Sequence, residues 1–352
     1  MTIGKEVSSS QEVDVQGEAM LSPSDLLRSL LDDPMPKDET WQSQAGRAVS
    51  MVAVGFLNEA DDELALRSVA LLGVAQSLGV KEARKRAITV QDLLRHTAGL
   101  TYDFVGNLEV HRRYAAANLA DRSIDNAAQM RRLAALPLAH QPGTQWEYSR
   151  ATDVLGHLVE LVSGQTLGQF LARRIFAPLG MTDTAFHVAP EHQHRIAEPF
   201  GQDPDTGAPV RVIEPRDKPA FESGGGGLIS SLADYTRLLK LLAGGGRLGN
   251  ERLVSRDTLA FMTADHLGSI PSASPLLAPG HGFGLGFAVR THAGLAPLPG
   301  SVGSYFWGGI AGTTFWVDPA RELFAVMMVQ APAQRDEYRA LFRTMVYAAL
   351  DD

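Results

Sequence analysis

The stretch Trp146–Phe186, WEYSRATDVLGHLVELVSGQTLGQFLARRIFAPLGMTDTAF, decides the fold. Two helical runs stand in it, ATDVLGHLVELVSG and TLGQFLARRIFAPLG, with an aromatic pair, Trp146 and Tyr148, directly ahead of the first. Further helical runs lie on either side. ITVQDLLRHTAGL is expected to open at Thr89 and close at Gly99, where a left-handed C′ residue suits glycine. SIDNAAQMRRLAAL follows, and SSLADYTRLLKLLAGGG spaces Ser231 and Asp234 as a capping box. Near residue 280 the pattern changes. HGFGLGFAV, TTFWVDP and ELFAVMMVQ alternate or run apolar over strand lengths, with Gly, Asp and Pro between, and read as antiparallel strands. DEYRALFRTMVYAAL closes the chain as a helix, and Asp318-Pro319 is expected to be a turn and nothing more.

Toward the other end, AVSMVAVGFLNEADDELALRSVALLGVAQSLG predicts a buried helix, a turn at Ala60 to Asp62 and a second element. SPSDLLRSLLDD offers Ser22 or Ser24 as the N-cap of a short helix. The first 22 or so residues are polar and serine-rich, and no structure is assigned to most of them. No internal repeat is visible. The one low-complexity patch, Gly224 to Gly227, is not a phosphate loop, because no Lys-Ser or Lys-Thr follows it.

With 352 residues, 45% of them hydrophobic, the chain can bury a large core in one composite domain or two intimate ones. A formal net charge of -8 argues against nucleic acid as a partner, and the short basic cluster KEARKR, Lys81 to Arg86, reads as a solvated face. There is no cysteine, hence neither disulfide nor thiolate metal site. No run reaches the roughly 18 apolar residues of a membrane span, and the opening residues lack a signal-peptide core. A cytoplasmic protein with no membrane partner is therefore expected; the oligomeric state is not legible.

Five segments together, ITVQDLLRHTAGLTYDF, the Trp146–Phe186 stretch, SGGGGLISSLADYTRLLKLL, GFGLGF and YFWGGIAGTTFWVDPARELFAVMMVQ, resemble the serine beta-lactamase-related superfamily. Within it they are most similar to the esterases of the class C beta-lactamase fold. The resemblance covers roughly Ile88 to Gln330 in the right order. It implies an α+β, penicillin-binding-protein-like fold, an antiparallel sheet flanked by helices plus an all-helical region. The expected parts are a divergent N-terminal segment at 1–44, a helical region with the active-site-like loops at 45–276, and C-terminal strands and helix at 277–352 that complete the α/β region.

The resemblance also implies the chemistry. A serine and a lysine one helical turn apart form an acyl-enzyme in this family, and a tyrosine serves as base or proton relay. Tyr148 in YSR matches that tyrosine. Where many relatives have asparagine two places later, this chain has Arg150, a candidate substrate-binding residue. Trp307-Gly308-Gly309 matches the pocket-lining strand: the glycines permit close backbone approach, and the indole offers an apolar wall in place of a cation. An uncharged acyl ester is therefore the expected ligand. Tyr102 is a candidate for the pocket lining, with packing as the alternative. His96 in RHTAGL is read as hydrogen-bonded to backbone, not as a base. No metal or organic cofactor is implied; His281 and His292 lie in loop sequence.

The initiating pair is missing. No serine from Ser8 to Ser304 is followed three places later by lysine. Laying Asp38 and Trp41 on the start of the family's motif puts Ala45 and Ala48 at the serine and lysine positions. A two-residue shift instead gives Ser43 and Gly46, a hydroxyl without its base, so Ser43 is the candidate nucleophile; Ser50, among apolar neighbours, reads as packed or capping. Losing a catalytic nucleophile costs on the order of a millionfold in turnover. EVSSSQEVDVQGEAM supplies at best one weak hairpin where relatives place two strands, so the N-terminal strands are themselves in doubt. Three readings stay open: an acyl-ester enzyme with an altered constellation, a non-catalytic pseudoenzyme that binds or regulates, and a degenerate product with an incomplete sheet that would not melt cooperatively.

Overall fold

The computed structural model describes residues 84–272 and 274–350. Ser43, Ser50 and the elements expected before residue 84 lie outside the described residues. Helices dominate the first half. They are α1 (Val90–Leu94), α2 (Glu109–Ala116), α3 (Asn126–Ala134), α4 (Ala151–Ser163), α5 (Leu167–Leu171), α6 (Ala177–Leu179) and α7 (Leu232–Ala243). A short hairpin, β1 (Arg247–Leu248) and β2 (Glu251–Arg252), leads to α8 (Arg256–Met262). An antiparallel sheet follows in simple meander order: β3 (His281–Phe283), β4 (Ala288–Arg290), β5 (Tyr305–Gly308), β6 (Thr314–Asp318) and β7 (Leu323–Met327). The last helix is α9 (Arg335–Ala348).

Local chemistry sets most boundaries as expected, and four readings depart. Thr89 does cap α1, with a reciprocal capping box to Asp92, yet the helix ends at Leu94 and not at Gly99. His96 takes a left-handed φ of 57° and the Thr97 amide closes back on the Asp92 carbonyl at 2.7 Å, ending the helical ladder early. Gly99, at φ 82°, serves a later turn, where an added Cβ would collide with the His140 carbonyl. At α7 the expected capping box is only half formed. Ser231 accepts the Asp234 amide, but the Asp234 carboxylate is taken by the Asp183 amide at 2.7 Å and the Thr184 hydroxyl at 2.9 Å. Asp318 is more than a turn residue: its buried carboxylate accepts from the Tyr347 hydroxyl at 2.6 Å and the Ser301 amide at 3.0 Å. His281 also opens β3, so it stands on a strand and not in a loop.

Four apolar clusters hold these elements. Ile88, Leu93, Leu100, Tyr114, Met130, Leu133 and Val154 join α1 to α4. Leu239 and Leu242 of α7 pack on Val289, Tyr305, Phe315 and Val317 of the sheet. Phe176, Leu179 and Met181 pack the α5–α6 segment on Leu241. Strand β6 is buried at all five positions, because α7 covers one face while Trp316 meets Phe342 and Tyr347 of α9 on the other. The fourth cluster, Trp146, Leu267, Phe283 and Ala288 with Tyr148 and Trp307 against it, is the seam between helices and sheet. Trp146 is anchored there by its amide, which donates to the Pro271 carbonyl at 2.8 Å.

Candidate active site

Tyr148 sits at the seam because the extended segment Trp146–Ser149 is pinned behind it. The Glu147 amide donates to the His96 carbonyl at 3.0 Å, and the Ser149 amide to His96 Nδ1 at 3.3 Å. His96 thus bonds backbone, as expected, and its Nδ1 also lies 3.2 Å from Ser149 Oγ. Burial drives the imidazole down to about 3, so it is neutral at physiological pH. Ser149 is wholly inaccessible, so this serine and histidine form a structural pair and not a nucleophile with its base.

Forward of that support, three of the expected residues meet. The Tyr148 ring lies 5.0 Å from Trp307 and 5.1 Å from Tyr102, centroid to centroid. Tyr102 is buried, stacked at 4.8 Å on Phe104, whose ring is 56% exposed. Phe283 stands edge-on to Trp307 at 5.3 Å and to His96 at 5.4 Å. The result is an aromatic wall with phenols set into it. Burial raises the Tyr148 phenol above its ordinary value; contact with Trp307 offsets this in part, and the Asp153 charge adds to it. The phenol therefore stays protonated near neutrality and can donate to an oxygen placed against it. Tyr102 is pushed still higher, by burial and then by Asp153.

Gly308, next in sequence to Trp307, ends β5 and Gly309 follows it. Gly308 pairs with Thr314 of β6, and the Gly309 amide donates to the Thr313 carbonyl at 2.9 Å. A Cβ on Gly308 would meet the Arg339 guanidinium at 2.7 Å. Arg339, from α9, donates to the carbonyls of Gly309 and Thr313 and so fixes the turn from behind. Arg150 takes inward partners: it pairs with Asp153 at 3.3 Å and lies over the Tyr102 ring. Asp153 in turn accepts from Ser223 Oγ at 2.5 Å and the Gly225 amide at 3.0 Å. The Gly224–Gly227 patch is thereby a packing device, since a Cβ on Gly224 would collide with the Thr152 carbonyl at the head of α4.

Ser149, Asp153, Ser223 and Arg339 carried no expectation from sequence. Asp153 has a local signal, an acidic residue in the first turn of α4, but nothing local points to its partner Ser223. Among the described residues no group of three His, Asp or Glu side chains is arranged to hold a metal ion, and no helix is long and apolar enough to cross a membrane.

A helical half and an antiparallel sheet that meet at a tyrosine and a Trp-Gly-Gly strand end define the class. The beta-lactamase family model matches residues 31–348, and the chain belongs to that family, with its beta-lactamase and penicillin-binding-protein-like fold. An uncharacterized protein of Mycobacterium tuberculosis (strain CDC 1551 / Oshkosh) is 35% identical over 255 residues, 70% of this chain and 63% of that one. Esterase EstB of Burkholderia gladioli is 31% identical over 264 residues, 68% of this chain and 64% of the esterase. The chain thus spans a little under two thirds of the length of these relatives. Among solved structures, EstCE1, a hydrolase with promiscuous acyltransferase activity, superposes with a TM-score of 0.64 at 28% identity, covering 82% of this chain and 78% of its own.

Proposed function

We propose that this protein takes a small, uncharged acyl ester against the wall formed by Tyr102, Trp307, Gly308 and Gly309, and hydrolyses it with the Tyr148 phenol as proton donor. The observation that carries this reading is the phenol of Tyr148 seated between Tyr102 and Trp307 at the head of α4. A protonated phenol in an aromatic setting suits a carbonyl or alkoxide oxygen, and the Trp307 indole offers an acyl chain an apolar surface. Relatives named as esterases support the same class. The attacking hydroxyl is assigned to Ser43, which a two-residue shift brings to the serine place of the family's motif.

Release of p-nitrophenol from short-chain p-nitrophenyl esters tests the proposal. Turnover should fall by about 100-fold or more in Tyr148→Phe, the usual worth of a positioned proton donor, and vanish in Ser43→Ala. No turnover across acyl lengths would reject hydrolysis. A second reading, an ester-binding protein without turnover, is favoured by one observation: no serine in the chain is followed by lysine at the third place. It predicts saturable binding of the same esters with no covalent labelling by a fluorophosphonate probe, and labelling of any residue rules it out.

A further inference from the structure

Arg150 stands two residues after Tyr148 and immediately before α4. Its side chain is only 14% exposed and is held on several sides. Cζ lies 4.7 Å from the centroid of the Tyr102 ring, and Nη1 donates to Asp153 Oδ2 at 3.3 Å. Asp153 cannot swing away with it, because Ser223 and the Gly225 amide hold its other oxygen. Gly225 makes the arrangement possible. A Cβ there would lie 2.7 Å from the Tyr102 hydroxyl, 2.9 Å from Thr152 Oγ1 and 3.3 Å from Asp153 Oδ1. The bare Cα is what lets those three oxygens crowd together.

Behind the guanidinium lies a cavity of about 10 Å³, lined by Arg150, Asp153 and Gln129 among the apolar Leu119, Leu133 and Phe221. Arg150 Nε and Gln129 Oε1 are both buried without a hydrogen-bond partner among the described residues. The two residues that carry these unpartnered atoms thus line one space of single-water size. The cation is fixed in position, not searching the cleft.

We propose that Arg150 is a positioning residue of this site: clamped on Asp153, its guanidinium holds the Tyr102 ring against Tyr148 and supplies the positive charge that both phenols face. Among the described residues, Arg150 is the cation acting on Tyr102, Tyr148 and Tyr114, where burial and the carboxylates of Asp153 and Glu147 act the other way. His96, behind Tyr148, is neutral and contributes no charge. The inference rests on Tyr148 being the working phenol, but its test needs no turnover and so fails separately from the ester reading.

The experiment uses the full chain with 3-fluorotyrosine incorporated, the Tyr102 and Tyr148 signals being assigned by Tyr102→Phe and Tyr148→Phe and followed by fluorine NMR through an alkaline titration. In Arg150→Met both midpoints should rise, by about half a pH unit or more for a charge at this range, and Arg150→Lys should recover most of that rise for Tyr148. Midpoints that stay put in a variant with intact near-ultraviolet circular dichroism overturn the proposal. Should Arg150→Met not fold, the unaltered protein supplies the second measurement. The ¹⁵Nε resonance of Arg150 should move with the midpoint of the phenol pair, and a resonance that stays flat across that range overturns the proposal equally.

Discussion

His96 shows how much one buried ring can govern. Its imidazole is sealed behind Tyr148, and burial drives its protonation inside the fold down to about 3 from an unfolded value near 6.5. A group whose folded value is depressed gives its full stability above the unfolded value and loses it as pH falls toward the folded one. Stability should therefore decline below about pH 6.5, by up to about 1.4 kcal/mol per pH unit from this histidine alone. Asp92 and Glu147, whose carboxyls are held below the ordinary range by Arg86 and His140 despite burial, add the same sign only at lower pH. Urea midpoints at pH 7, 6 and 5 check this. His96→Gln, although less stable throughout, should show a flatter dependence across that window, and an equal slope in both proteins would rule out His96 as its source.

At the scale of elements, Asp234 is the most instructive residue. It stands in the first turn of α7 as a cap should, but it spends its carboxylate on the Asp183 amide and the Thr184 hydroxyl, tying the segment after α6 to α7. Asp234→Ala should thus cost about 2–3 kcal/mol, for buried donors left unpaired, against about 1 kcal/mol for the local cap lost in Ser231→Ala. Chemical denaturation of the two variants tests the ranking, and a reversed order would mean the tie is unimportant. The same distinction explains what could be read beforehand. Thr89, Ser231, the Gly164 end of α4 and the strand runs are written in neighbours along the chain, so most boundaries were legible. The early end of α1 was not, because the left-handed turn at His96 answers to Glu147 and Ser149. Among the candidate site residues, Tyr148 and Trp307 stood in motifs that carry the family resemblance and Tyr102 followed the RHTAGL turn, and the fold sets their three rings together. The pairs His96 with Ser149, Asp153 with Ser223 and Arg339 with Gly309 lie 53, 70 and 30 residues apart, and no local pattern joins them.

For the molecule as a whole, the decisive feature is that the helical and sheet halves share the aromatic seam of Trp146, Tyr148, Phe283 and Trp307. Two halves packed through one set of rings should lose structure together. Heating should give a single cooperative transition in which the near-ultraviolet and far-ultraviolet circular dichroism signals coincide; two separated midpoints would show that the halves melt independently. The seam has an optical consequence too. Of the tryptophans among the described residues, Trp146 and Trp316 are sealed in the core, while Trp307 alone is partly open, with the Tyr148 ring 5.0 Å away to pass it excitation. Trp307 emission should therefore change when a molecule lies against the Tyr148 ring, a gauge of occupancy that needs no dye.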